Sequence, residues 1–175
     1  IAILAGVLDI VCNAQQTGNS GVREGLTAWV LGLLPPPLGG LAKVISSNLD
    51  GYRATAETTS ASVDNLILIQ NGSSDLAFTL GDSALDAVAG REGFKEKVPM
   101  RALAQIYDNY TQVVVKQGSG IEKVADLKGK RVSVGSPNSG TEVIADRLLE
   151  LADADPKKGI KREGLGVDES VQAMK

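Results

Sequence analysis

Along the chain, short apolar runs alternate with stretches that place an apolar residue at every third or fourth position, the pattern of strands interleaved with helices. The run at residues 26–38, "LTAWVLGLLPPPL", ends in three prolines. A helix interior does not accept them, so the run predicts a buried strand followed by a loop. Leu41, Val44 and Ile45 then share one face of a short helix. "YRATAETTSAS" predicts an extended segment, and Ser60 or Ser62 is placed to cap a helix over "VDNLILIQNG", with Val63, Leu66 and Ile67 inward and Gly72 as its stop. A strand at residues 76–79 and a helix from Asp82 complete the series. Such an order predicts a parallel sheet with helices on its faces.

The second half repeats the theme. "REGFKEKVPM" predicts a charged loop, and "RALAQIYDNYTQVVVKQ" predicts two strands separated by a polar break at Asp108 and Asn109, a plausible crossing from one lobe to another with a hinge at residues 108–111. "SGIEKVADLKGKRVSV" predicts a short helix, a turn at Gly129 and a strand. The next helix carries Val143, Ile144, Leu148 and Leu151 on one face. "ADADPKKGIKREG" has mixed charge and predicts a solvated surface, and "VDESVQAMK" places Val167, Val171 and Met174 on a last helical face that reaches Lys175 without a cap.

The strand, loop and helix of "VSVGSPNSGTEV" carry the chemistry. Gly135 and Gly140 have the spacing of a phosphate-binding loop, but Thr141 stands where that loop has its lysine. Ser139 and Glu142 form an S-x-x-E capping pattern, so the helix start aims N–H groups and a positive dipole end at whatever the loop holds. A small carboxylate suits these donors better than a triphosphate. A strand-to-helix turn with no ligand is an equal reading of the same residues.

Composition narrows the chemistry further. The 175 residues are 43% hydrophobic and 22% charged with net charge -3, as in globular domains. With 3% aromatic residues and no basic stripe, nucleic acid is not an expected partner. There is no histidine and a single cysteine, Cys12, which excludes a Ser/His/Asp triad, a thiolate–histidine pair and a Cys/His zinc site. Neither a metal nor a cofactor is expected. The start, "IAILAGVLDIVCNAQQ", is too short to span a membrane. It has two readings of equal weight, the remnant of a secretory leader cut before Gln15, with Cys12 and Ala14 as the small residues, or a buried strand at a domain edge.

Beyond these local signals, "PPPLGGLAKVIS", "ATAETTSASVDNLILIQNGSSDLAF", "ALAQIYDNYTQVVVKQGSGIEKVADLKGKRVSVGSPNSGTEV" and "ESVQAMK" resemble, in order and spacing, the TAXI family of TRAP-transporter solute receptors from residue 26 to the end. The resemblance implies an α/β, two-lobed periplasmic binding protein-like fold of the second type, each lobe a sheet flanked by helices. Residues 1–25 would be a leader remnant or extra segment, 26–108 a first lobe, and 109–175 a second lobe that is incomplete. It implies an extracytoplasmic, non-enzymatic receptor that clamps a small carboxylate or amino acid, such as glutamate or 2-oxoglutarate, and delivers it to a membrane permease. Ser136, Asn138, Ser139, Gly140 and Thr141 match the family's anion-facing loop. Thr58, Thr59, Ser60 and Ser62 match the segment that closes from the other lobe, and Asp82 matches an acidic residue at the next helix. Two departures stand out. The family has a glycine pair at the positions of Ser60 and Ala61, and a Gly-rich stretch ending in Tyr-Tyr-Pro where this chain has "GLLPPP", with Gly32 and Pro36 as its remnant and no tyrosines. Rival readings are a phosphate- or nucleotide-using enzyme with a degenerate loop, and a truncated homologue that no longer binds.

Overall fold

The computed structural model describes residues 2–5, 11–13, 26–28, 37–106 and 108–175, with side chains from residue 40 onward. Ile1, Ala14, Gln15, Gly32 and Pro36, which bear on the leader and Tyr-Tyr-Pro readings, lie outside the described residues. The chain divides into two compact units. One comprises residues 8–105, and the other combines residues 1–7 with 106–175.

In the unit of residues 8–105, strands β2 (Val11–Asn13), β3 (Leu26–Ala28), β4 (Ala54–Glu57) and β5 (Leu76–Ala77) alternate with helices α1 (Pro37–Asn48), α2 (Ser62–Gln70) and α3 (Gly81–Ala89). The sheet order is β3-β4-β2-β5. β3 and β4 are parallel, whereas β2 lies antiparallel to both β4 and β5, so β3, β4 and β5 all share one direction. The strand–helix alternation therefore does give parallel strands, but the sheet is mixed. The inserted β2 comes from the N-terminal apolar segment, whose direction no local pattern encodes.

The third proline of "PPP" is the first residue of α1 rather than part of a loop. Proline is well tolerated there, because its fixed φ suits the helix and a first-turn N–H has no intrahelical acceptor anyway. Among the described side chains of α1, Ala42 is buried, Leu41 and Ile45 are half-buried and Val44 is exposed at 56%. In α2, Val63 and Leu66 are buried as expected, but Ile67 faces outward. The α2 stop is as predicted: Gly72 takes φ 75°, its N–H donates to the Ile69 carbonyl, and the Ser73 N–H donates to that of Leu68. The "REGFKEKVPM" segment is charged yet anchored, since Phe94 and Val98 are buried and the Val98 N–H donates to the Ala87 carbonyl of α3. No strand forms over residues 101–106. Leu103 and Ile106 are exposed there, so the apolar run is not a sheet element among the described residues.

The other unit is built from β1 (Ala2–Ala5), β6 (Gln112–Val115), β7 (Arg131–Ser133) and β8 (Lys161–Glu163) with α4 (Gly140–Leu151) and α5 (Val167–Met174). Its sheet order is β6-β1-β7-β8, with β1, β7 and β8 parallel and β6 antiparallel on the edge. Leu127, Val132, Val134, Ala145, Leu149, Ala154 and Ile160 form its core, with Leu148 packed against them. α4 therefore turns Ala145 and Leu149 inward, and Leu151 is exposed at 84%, off the face the spacing predicted. A 3-10 turn, Val124–Leu127, precedes β7, and the Asp126 carboxylate caps it by accepting the Glu122 and Lys123 N–H groups. Those two bonds, Glu122 first, hold the Asp126 carboxyl below its ordinary range.

β8 runs through the segment predicted as solvated surface. Ile160 and Ala154 anchor it, and Arg162 is half-buried through ion pairs to α4. The strand itself, Lys-Arg-Glu, has no apolar residue to mark it, and Arg162 is held on it by charge pairing. In α5, Val167 and Val171 are exposed and Ser170 is the buried residue, so the apolar face expected there is not the buried one.

Candidate functional site

Open α/β sheets take ligands beyond the carboxyl ends of parallel strands, where loops lead into helix N-termini. In the smaller unit, β7 and β8 both end this way. β7 runs through Val134 into Gly135, at φ 96°, and Asn138 takes φ 61°. Asparagine is among the few side chains that enter this region readily. Ser139 is the N-cap of α4, its hydroxyl accepting the Glu142 N–H at 3.1 Å. The predicted capping pattern is thus present, but its return arm is displaced by one residue. Glu142 Oε2 accepts the N–H of Asn138, at 2.8 Å, while the Ser139 N–H donates to the Ser136 carbonyl.

These bonds occupy the loop's flanking donors and leave its centre open. The N–H groups of Gly140 and Thr141, the first two of α4, have no acceptor among the described residues. The loop is closed tightly on itself. A Cβ on Gly135 would lie 2.8 Å from Thr141 Cβ and 3.0 Å from Ser139 Oγ. Sequence reasoning missed a second segment here, the turn from β8 to α5. A Cβ on Gly164 would sit 3.4 Å from Pro137 Cγ, and one on Gly166 would sit 3.4 Å from Ser136 Oγ. Gly166 is the N-cap of α5, so the start of α5 abuts Ser136 in the loop that leads into α4. The glycines of "GLG" were the available signal. Beneath the turn, the buried Ser133 and Ser170 hydroxyls bond each other at 2.6 Å and both reach the Leu165 carbonyl.

Behind the loop stands an ion cluster. Arg162 Nη2 donates to Glu142 Oε1 at 2.7 Å, Nη1 donates to Asp146 Oδ1, and Nη1 also reaches the Pro156 carbonyl. Burial disfavours the Arg162 cation, but hydrogen bonds to Asp146 and Glu142 outweigh it, so the group stays charged to above its ordinary pKa.

The residues singled out in the larger unit also meet one another, in roles that are partly structural. Thr59 donates its hydroxyl to Asn65 Oδ1 and accepts the Ala61 N–H, and the fully buried Asn65 donates to the Phe78 carbonyl. The Ser60 N–H donates to Asp64 Oδ2. Ser62 is buried and accepts the Leu80 N–H at 3.1 Å, which ties the start of α2 to the residue before α3, two positions ahead of Asp82. Asp82 accepts the N–H of Ser83. Thr58 is exposed. Neither Ser60 nor Ser62 caps α2. The N-cap is Ala61, with φ 107° and ψ -145° and no side-chain bond.

That backbone region is essentially glycine's, and holding a side chain in it costs about 1–3 kcal/mol. Ala61→Gly should therefore raise stability by about 1 kcal/mol after the ~0.5–1 kcal/mol entropic cost of glycine. A higher urea midpoint for the variant would show it; an unchanged or lower midpoint would refute the strain.

Chemically the site offers hydroxyl and amide donors, and no group of His, Cys, Asp or Glu among the described residues could hold a metal ion. An α/β unit with glycine-rich loops and open helix starts at the ends of adjacent parallel strands is of the class that holds small ligands through backbone amides. The chain belongs to the NMT1-like family, whose model matches residues 31–175. This is a periplasmic binding protein-like family with a solute-binding role, typically outside the cytoplasm. No helix among the described residues is long and apolar enough to cross a membrane.

Proposed function

We propose that the protein is an extracytoplasmic receptor for a small carboxylate solute, of the glutamate or 2-oxoglutarate kind, which it passes to the membrane permease of a TRAP-type transporter of the TAXI group. The observation that carries this reading is the pair of N–H groups on Gly140 and Thr141 at the start of α4 that find no acceptor among the described residues, in the loop that carries the hydroxyls of Ser136 and Thr141. Amides at a helix start favour a compact anion, and the absence of a lysine next to them disfavours a triphosphate. Ser136, Asn138, Ser139, Gly140 and Thr141 are the proposed contacts in this unit, with Asn138 and Ser139 acting through their positions in the loop. Thr58, Thr59, Ser60, Ser62 and Asp82 are a separate set of proposed ligand contacts, in the larger unit. Of these, Thr58 and Ser60 are the better candidates for direct contact, because Thr59 and Ser62 are engaged within the fold.

A thermal-shift screen with glutamate, glutamine, 2-oxoglutarate, C4-dicarboxylates and ATP tests the proposal. Ligand at a hundredfold over Kd adds about 2.7 kcal/mol, several degrees for a chain of this size. A rise with a small carboxylate and none with ATP supports the receptor reading; no rise with any carboxylate removes it.

Thr141→Val sharpens the test. Valine keeps the methyl that packs on Gly135 and replaces the hydroxyl with a second methyl that cannot hydrogen-bond. A hydrogen bond to a charged ligand is worth about 1.5–3 kcal/mol, so affinity should fall roughly tenfold to a hundredfold with Tm almost unchanged. Unaltered affinity in a titration would take Thr141 out of the site.

A further inference from the structure

We propose that Arg162 is a positioning residue for the anion loop, acting through Glu142 on the backbone of Asn138; this rests on the reading that the loop binds a carboxylate. Glu142 has its two oxygens on different partners. Oε1 accepts Arg162 Nη2 at 2.7 Å, and Oε2 accepts the Asn138 N–H at 2.8 Å. The guanidinium also grips Asp146, one turn along α4, and the Pro156 carbonyl. Its planar fork thus holds Glu142 by a rigid lever from β8, and Glu142 in turn pins Asn138 in its positive-φ conformation.

The arrangement also answers an electrostatic problem. A glutamate in the first turn suits the helix dipole but repels an anion arriving at the neighbouring amides. Arg162, shared with Asp146, sits on the far oxygen of that carboxylate and offsets part of its charge while leaving the Gly140 and Thr141 N–H groups open. None of this requires Arg162 to touch the solute. The sequence offered only a mixed-charge segment, and the half-buried ion pairs separate Arg162 from the exposed lysines around it.

The test uses the full chain and two readouts. In Arg162→Met, the Asn138 amide should lose the downfield proton shift of a carboxylate-bonded N–H and exchange with solvent about tenfold faster or more, while the amides of Val132 and Leu149 in the core keep their protection. In calorimetric titration with 2-oxoglutarate, the same variant should bind about tenfold more weakly or worse. Adding Glu142→Gln should restore affinity to within about threefold, because the carboxamide oxygen still accepts the Asn138 N–H, its NH2 can donate to Asp146, and the uncompensated charge is gone. If Arg162→Met does not fold, Arg162→Lys carries the test, since it keeps the charge but cannot fork.

An Asn138 amide unchanged in both variants, or altered only together with the whole unit, overturns the proposal. So does unchanged affinity with an altered amide, or failure of the double variant to regain binding. If the unsubstituted chain takes up no 2-oxoglutarate or other carboxylate, the receptor reading fails, and the Asn138 amide still decides whether Arg162 positions the loop.

Discussion

Gly135→Ala is expected to lower stability by roughly 2–6 kcal/mol and to abolish carboxylate binding, with a larger loss of binding than any single hydroxyl removal. Two costs coincide at this position. The backbone at φ 96° lies where a side chain costs about 1–3 kcal/mol. The added methyl would also press on Thr141 Cβ at 2.8 Å, Thr141 Cγ2 at 2.9 Å and Ser139 Oγ at 3.0 Å. Overpacking of that kind costs typically about 1–3 kcal/mol more. The strain can be relieved only by moving Ser139 and Thr141 away from Gly135, and those residues set the N-cap and the second open amide of α4. Urea unfolding and a titration with the ligand found in the screen measure the two effects separately. A variant with wild-type midpoint and affinity would show that the loop is looser than its contacts imply.

How far the sequence discloses this site depends on which interactions are local. Gly135, Ser139 and Glu142 lie within eight residues, so their turn and cap are readable from spacing, and the cap bond from Glu142 N–H to Ser139 is found as expected. The second arm of the cap is not readable, because Arg162, 20 residues further on, draws Glu142 into an orientation in which it accepts from Asn138. The same limit applies to α2. Ser60 and Ser62 are ordinary cap residues, but the Leu80 N–H claims Ser62 and Asp64 engages Ser60, leaving the strained Ala61 at the cap. Helix faces fail for a related reason. Ser170 displaces Val167 and Val171 from the buried side of α5 because Ser133 and the Leu165 carbonyl provide it with polar partners there. Strand direction is harder still, since β2 carries an apolar pattern that is the same in either sense. The resemblance to solute receptors reaches past these limits to the general role, which membership of the NMT1-like family supports, whereas the solute and the transporter rest on the chemistry proposed above.

Gly159→Ala should be the second most damaging change, and it tests whether β8 governs the loop from behind. Gly159 lies in the segment whose charges suggested mere surface, and its φ is not of the positive kind, so no sequence rule marks it. Its environment does. A Cβ there would fall 2.7 Å from the Asp155 carbonyl oxygen and 2.8 Å from the Asp155 nitrogen, both backbone atoms that no rotamer change can move aside. Its own N–H donates to that carbonyl at 2.7 Å, and its carbonyl accepts the Gly129 N–H, also at 2.7 Å, just ahead of β7. From there the Lys161 N–H donates to the Lys130 carbonyl and starts the β7–β8 ladder. The turn must therefore give way as a whole, at a cost of about 3 kcal/mol by the scale of core overpacking, and β8 must shift with it. Because Arg162 rides on β8, the shift should reach Glu142 and Asn138 and weaken binding at a loop that Gly159 does not touch. Asp155 belongs to the same turn, its carboxyl held below the ordinary range by the N–H groups of Lys157 and then Lys158. Loss of stability in Gly159→Ala together with a changed Asn138 amide is the expected result. Loss of stability with the Asn138 amide intact would separate the turn from the site, and would leave the orientation of Glu142 to α4 alone.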